Sequence, residues 1–360
     1  MPAPWFPGRD AIVPPRGDAN APRSYRRRID ADGPGHDGAR VDLHFRPGAR
    51  LALAVVELPA RRAFDPRARL GRRRPYGVHV PVSPRRAGPV RRIDRRALQD
   101  RAVVTGAHQD NTVAVPGGRV FVRRWVGGGE RAPIVLLHDS LGSVEQWREF
   151  PLALASAMQR DVIAYDRLGF GHSSARDARP SIHFVDEEAA AFAAFADAIG
   201  LTRFVLFGHS VGGAMALAIA ATQGTRCEAV ITESAQAFVE SRTLDGIRAA
   251  KIAFEDPEQF ARLAKWHGDK ARWVLEAWTE VWLSPDFARW SIDAALPRIA
   301  CPVLAIHGER DEFGSVAFPQ RIAQGVRDGR MIVHPCGHVP HRECADDVLR
   351  WSAEFLEGVA

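Results

Sequence analysis

The chain is poor in cysteine. Four in 360 residues, at positions 227, 301, 336 and 344, form no CxxC pair and no dense cluster. That excludes a disulfide scaffold and a zinc ribbon and points to a reducing compartment. Long apolar runs are missing too. None approaches the roughly eighteen residues of a membrane span, and Pro4, Pro7 and Asp10 interrupt the stretch a signal peptide would need unbroken. The expectation is a cytoplasmic protein without a membrane partner. Lysine is absent from the first 101 residues, which carry 23 Arg against 10 Asp or Glu, a surplus of +13, whereas residues 102–360 hold 26 basic against 33 acidic residues, or −7. The net charge of +6 therefore belongs to one segment.

That segment also holds 14 of the 25 prolines. Proline removes backbone donors and like charges repel, so residues 1–101 are expected to form a disordered extension, of the kind that translation from upstream of a true start would add. Leu51–Leu58 is its one apolar run. Its arginines lack the regular interleaving of aromatic rings that a nucleic-acid arm uses for stacking, and no nucleic-acid partner is expected. The chain as a whole, at 46% hydrophobic and 26% charged residues, is globular in class.

From Val113 onward short apolar runs alternate with amphipathic stretches, the pattern of a βαβ chain with a mainly parallel sheet. Val113–Val115, the turn at Pro116 to Gly118 and Val120–Val126 predict an opening hairpin. Strands are expected at Ile134–Leu137, Val162–Tyr165, Phe204–Phe207, Ala229–Thr232, Val303–His307 and Met331–His334. Helices are expected at Gln146–Met158, Phe184–Ile199, Val211–Ala221, Val316–Val326 and Glu343–Leu356. Between Gln236 and Leu296 the strand signal disappears and five tryptophans, at 266, 273, 278, 282 and 290, fall in helical sequence. The organisation predicted is a core of residues 102–235 and 297–360 interrupted by a helical insertion at 236–296.

Phe204–Phe207 runs into Gly208-His209-Ser210-Val211-Gly212, the strand–turn–helix setting of a GxSxG nucleophile elbow. A serine in a tight turn needs neighbours without bulk, and the glycines supply that. An alcohol is a weak nucleophile at neutral pH, so Ser210 requires a base, and the base requires an anion to fix its tautomer. Asp311 follows the strand at Val303–His307 and His338 follows that at Met331–His334, giving the chain order Ser, Asp, His. Glu233, at the end of Ala229–Thr232, is the reserve acid; His334 and His341 are rival bases. Asp166, Gly169 and Gly171 read as turn-shaping residues.

With His138-Asp139-Ser140-Leu141-Gly142-Ser143 after the strand Ile134–Leu137, and Asp166 to Ser173 after the next, residues 112–360 resemble an α/β-hydrolase. The resemblance implies a mainly parallel eight-stranded sheet flanked by helices, with the insertion as a cap. It implies that the backbone N–H groups of Ser140 and Val211 form the oxyanion hole and that Trp147 packs beside the pocket, with Trp266, Trp278 and Trp282 as further pocket candidates. Members commonly have His-Gly where this chain has His138-Asp139, so a carboxylate is expected near the oxyanion site. A serine rather than an aspartate at the elbow sets the chain apart from haloalkane dehalogenases and epoxide hydrolases. The activity implied is hydrolysis of small, apolar or aromatic carboxylic esters through an acyl-enzyme, without cofactor or metal. Carbon–carbon-bond hydrolysis of ring-cleavage products is the alternative reaction, though Asp139-Ser140-Leu141 and Val339 depart from the glycine run and the Trp usual there. A low-turnover ligand-binding protein on the same fold is the alternative of another class.

Overall fold

The computed structural model describes residues 108–359; the expectations for residues 1–101, including Leu51–Leu58, lie outside them. Strands β1 (His108–Val115) and β2 (Gly118–Trp125) form the opening hairpin, followed by β3 (Ile134–Leu137) and, after helix α1 (Phe150–Met158), β4 (Val162–Tyr165). Helix α2 (Phe184–Ala198) leads to β5 (Phe204–His209), and α3 (Val211–Gln223) to β6 (Cys227–Glu233). Then come α4 (Ser241–Ala253), α5 (Pro257–His267) and α6 (Ala271–Trp282). The chain returns through β7 (Val303–Gly308), α7 (Ala317–Gly325), β8 (Gly329–His334), the single turn α8 (Pro340–Glu343) and α9 (Ala345–Glu357).

The eight strands form one sheet in the order β1-β2-β4-β3-β5-β6-β7-β8, antiparallel at β1–β2 and β2–β4 and parallel elsewhere. Strands β3, β4, β5 and β7 are buried along their whole length, as expected of a parallel sheet covered on both faces. Alternate residues divide between the faces. Ile134 and Leu136 of β3 and Val205 and Phe207 of β5 pack with Phe150, Leu154, Trp351 and Phe355 of α1 and α9. Helix α3, buried over its first ten residues, packs against α2 and the other face.

Strand order runs from β3 outward to β4, then back past β3 to β5 and onward. The reversal opens a crevice at the carboxyl ends of β3 and β5, where parallel α/β sheets bind ligands. His138 leaves one of these strands and Ser210 the other.

Two helices depart from the pattern read in the sequence. The stretch expected as one helix at Gln146–Met158 is a 3-10 turn at Val144–Trp147 and then α1, because Arg148 takes φ 53° and breaks the axis. The helix expected at Glu343–Leu356 is split at Cys344, whose φ of −144° is extended, into α8 and α9.

The elbow between β5 and α3 leaves no room for side chains. A Cβ on Gly208 would stand 2.3 Å from the Gly212 carbonyl oxygen, and one on Gly212 would stand 2.2 Å from that of Leu137. Gly212→Ala should therefore lower unfolding stability by about 1–3 kcal/mol, since rigid backbone on the facing strand must shift. Urea unfolding followed by circular dichroism measures it, and an unchanged midpoint would contradict this packing.

Candidate active site

Ser210 sits at φ 57°, ψ −124°, outside the regions a serine normally occupies. The turn is held by Ser210 N–H donating to the Glu233 carbonyl at 2.8 Å, while the next residue, Val211, opens α3. Its Oγ lies 3.0 Å from His338 Nε2, and His338 Nδ1 lies 2.9 Å from each carboxylate oxygen of Asp311. The structure thus brings together all three residues from the ends of β5, β7 and β8. Asp311 is buried, and its Oδ1 accepts the backbone N–H groups of Phe313 at 2.7 Å and Gly314 at 3.1 Å. Burial alone would raise its pKa, but the charge and hydrogen bond of His338 outweigh it and hold the carboxyl below its usual range. For His338, burial works against the cation, yet the Asp311 charge and bond prevail and raise it to about 9.

Gln236 was not anticipated. Its Nε2 donates to Ser210 Oγ at 3.1 Å and its side chain is buried. Its Oε1 also lies 3.3 Å from that oxygen, so the Gln236 amide and His338 Nε2 both meet Ser210 Oγ. The sequence signal available was its place three residues beyond β6, beside the nucleophile strand.

Ser140 and Val211 line one small chamber with Phe170, Phe184, Trp278 and Trp282, and neither backbone N–H has a partner among the described residues. Asp139 turns away from this chamber. Its Oδ1 accepts the Leu141 N–H at 2.8 Å and its Oδ2 lies 3.3 Å from His209 Nδ1, so the carboxylate expected near the oxyanion site instead braces the loop from behind. His209 Nε2 donates to the His338 carbonyl at 2.9 Å. Asp166 is fully buried and accepts the N–H groups of Val144 at 2.6 Å and His172 at 2.7 Å, the turn-shaping part expected of it.

Two tryptophans expected at the pocket are elsewhere. Trp147 fills the core under β5, its ring 6.2 Å from Phe150 and 6.1 Å from Phe207, and does not reach the Ser140 chamber. Trp266 is half-buried on α5 with Lys265 over its ring at 4.9 Å. Helical spacing turns Leu263 and His267 inward instead. His267 then pins two loops at once: its Nδ1 accepts the Gly171 N–H at 2.9 Å and its Nε2 donates to the Leu141 carbonyl at 3.0 Å, next to Ser140. Lys270 adds bonds to the Gly171 and Ser173 carbonyls, each at 2.7 Å.

The reserve acid has a different partner. Glu233 Oε2 lies 2.7 Å from His341 Nδ1, both fully enclosed, so Glu233 does not serve His338. Burial pushes Glu233 up to about 8, and burial with the neighbouring Arg342 cation pushes His341 down to about 3. Both shifts favour the uncharged pair, in which the Glu233 O–H donates to His341. Among the described residues no group of three or more His, Cys, Asp or Glu is arranged to hold a metal ion, no helix is long and apolar enough to cross a membrane, and all four cysteines are free thiols.

A mainly parallel eight-stranded sheet with a serine on the strained turn after β5 defines an α/β-hydrolase. The chain belongs to the alpha/beta hydrolase family, whose family model matches residues 134–351. It is similar to the serine hydrolase BPHL of Homo sapiens, 27% identical over 303 residues that cover 78% of this chain and 92% of that protein. It is also similar to the proline iminopeptidase of Lactobacillus crispatus (strain ST1), 35% identical over 88 residues, 24% of this chain and 30% of that one. Among solved structures, the enol-lactonase from Burkholderia xenovorans LB400 superposes with a TM-score of 0.55 at 22% identity, covering 69% of this chain and all of that one.

Burial pushes His267 down to about 4 from its ordinary 6.5, despite the bond to Leu141. The unfolded chain therefore takes up this proton first, and its contribution to stability, present above pH 6.5, is lost as the pH falls towards 4. His267→Gln, whose amide can donate to Leu141 and accept from Gly171 without titrating, should flatten the fall in Tm between pH 6.5 and 4. Scanning calorimetry across that range is the measurement, and parallel curves for the two proteins would contradict a neutral His267 latch.

Proposed function

We propose that the protein is a serine hydrolase of small carboxylic esters with apolar or aromatic groups, working through an acyl-enzyme. The observation that carries this reading is the hydrogen-bonded line Ser210 Oγ, His338 Nε2 and Nδ1, Asp311, with separations of 3.0 and 2.9 Å. Ser210 attacks the ester carbonyl while His338 takes its proton, and the Ser140 and Val211 N–H groups receive the oxyanion. His338 then returns the proton to the departing alcohol, and the same steps with water release the acid. Asp311 keeps the His338 proton on Nδ1, leaving Nε2 free to accept, and steadies the imidazolium. Helices α4–α6 act as the cap over this site, with Trp278 and Trp282 as its apolar roof.

Preference for a neutral, apolar substrate is supported by how the chamber's charges are spent. Arg176 Nη1 pairs with Glu188 at 2.9 Å. The Arg167 guanidinium bonds His138 and donates to the Asp139 carbonyl at 2.7 Å. Neither charge is left over for an ionic substrate, and what remains is aromatic surface.

Ser210→Ala should reduce hydrolysis of p-nitrophenyl acetate by at least about a thousandfold, since the covalent route is lost and only oxyanion stabilisation and binding remain. Its Tm should stay near the parent's, and retained turnover would end this reading. Because the free base must be neutral and its pKa is raised to about 9, kcat/KM should climb with pH until that value. Asp311→Asn should cut kcat by about 10⁴ and move the rising limb to lower pH. Glu233→Gln should leave the limb in place, and the opposite ranking would transfer the acid's part to Glu233.

A further inference from the structure

The chamber next to Ser210 is small. Its volume of about 20 Å³ leaves room for about one water molecule, too little for an ester chain. A second cavity of about 360 Å³ lies between the β1–β2 hairpin and α2, within the range of about 300–1,000 Å³ typical of small-molecule sites. Its walls are apolar, formed by Val115, Val120, Leu168, Ala191, Phe192 and Phe195, and it opens to solvent along the alanines of α2.

Three residues, Arg167, Arg176 and Glu188, line both cavities, so one layer of side chains separates them. Arg167 cannot yield: its guanidinium is buried, bonded to His138 and the Asp139 carbonyl, and lies 4.2 Å over the Phe170 ring. Arg176 can. It stands on the irregular segment before α2, its side chain is 28% exposed, and among the described residues its one hydrogen-bond partner is the Glu188 carboxylate at 2.9 Å. Swinging Arg176 into solvent breaks this one bond to a largely buried carboxylate and joins the chamber to the groove.

We propose that the groove between the hairpin and α2 is a binding site for an apolar chain of the ester, aliphatic or aromatic, which extends from Ser210 past the Arg176–Glu188 pair. The inference rests on Ser210 being the nucleophile. It fits the groove's composition, since a run of small residues on α2 leaves open apolar floor, and the two charges at its inner end satisfy one another.

Ala191→Trp tests it, because Ala191 is exposed on α2 and a large ring there fills the groove without touching the core. The parent and variant are compared on p-nitrophenyl acetate and octanoate for an acyl-side chain, and on ethyl and octyl acetate for an alcohol-side chain. For one of the two series, the variant should lose at least tenfold in kcat/KM on the octyl member and stay within twofold on the short one. Arg176→Ala should raise the long-to-short ratio in that same series. Equal effects on short and long members would overturn the proposal. So would an altered Tm with unchanged chain-length preference, which would mean that another part of the chain covers the groove. Mass spectrometry after reaction with ethyl and octyl fluorophosphonates separates the two levels of the argument. Failure of both probes to label Ser210 would end the nucleophile reading and this inference with it. Labelling of Ser210 with no chain-length response to Ala191→Trp ends this inference alone.

Discussion

Everything at the carboxyl edge of the sheet depends on one backbone constraint, the left-handed turn at Ser210. A serine at φ 57° is unfavourable on its own by about 1–3 kcal/mol, and it persists only because its surroundings over-determine it. Three strands contribute. β5 and α3 approach across Gly208 and Gly212, β3 presses its Leu137 carbonyl against Gly212, and β6 accepts the Ser210 N–H through Glu233. The same contacts aim the Val211 N–H into the chamber that Ser140 reaches from the neighbouring strand end. Strain at the turn and the position of the Ser210 hydroxyl are therefore one property of the packing between β3, β5 and β6.

The inserted helices are coupled to that edge by polar contacts rather than by apolar burial alone. His267 and Lys270 together hold the loops after β3 and β4 by four hydrogen bonds between 2.7 and 3.0 Å. One of these accepts at Leu141, adjacent to the N–H of Ser140 that faces the chamber. The seating of α5 therefore fixes the geometry of the loop, and a shift of the helices would be felt first at the Ser140 N–H. Trp278 and Trp282 on α6 line the chamber, where little space remains.

Much of this was legible in the sequence, for local reasons. The bounds of β3 and β4 match the expected strands to the residue, because a buried parallel strand is an unbroken apolar run between polar breaks. Ser210, Asp311 and His338 were readable because each lies within four residues of a strand's carboxyl end. What escaped was either a backbone state or a long-range pairing. Arg148 carries no residue signal for its positive φ, so the break before α1 was hidden. On α5, the count of tryptophans drew attention to Trp266, whereas the ring that meets the two loops is His267, whose role depends on loops distant in sequence. Gln236 and the Glu233–His341 pair depend on strands distant in sequence coming together, and neither composition nor spacing records that.

The two carboxylate–histidine pairs show how the fold distinguishes a base from a structural ring. Both are buried, both bond through histidine Nδ1, and the distances are close, 2.9 Å in one and 2.7 Å in the other. The difference lies in what else the carboxylate meets. Asp311 receives two backbone N–H donors at the end of β7, which stabilise its charge, and that charge raises His338 to about 9. Glu233 Oε1 has no donor at all among the described residues, so burial prevails, its carboxyl is pushed up to about 8, and His341 stays neutral down to about 3. Only in the first pair does the carboxylate favour an imidazolium, and that ring lies beside Ser210. The second, its charged forms disfavoured by burial, fixes the carboxyl end of β6, whose last carbonyl holds the Ser210 turn. Side-chain chemistry is the same in both pairs; the backbone donors around the carboxylate set the charge that each histidine meets.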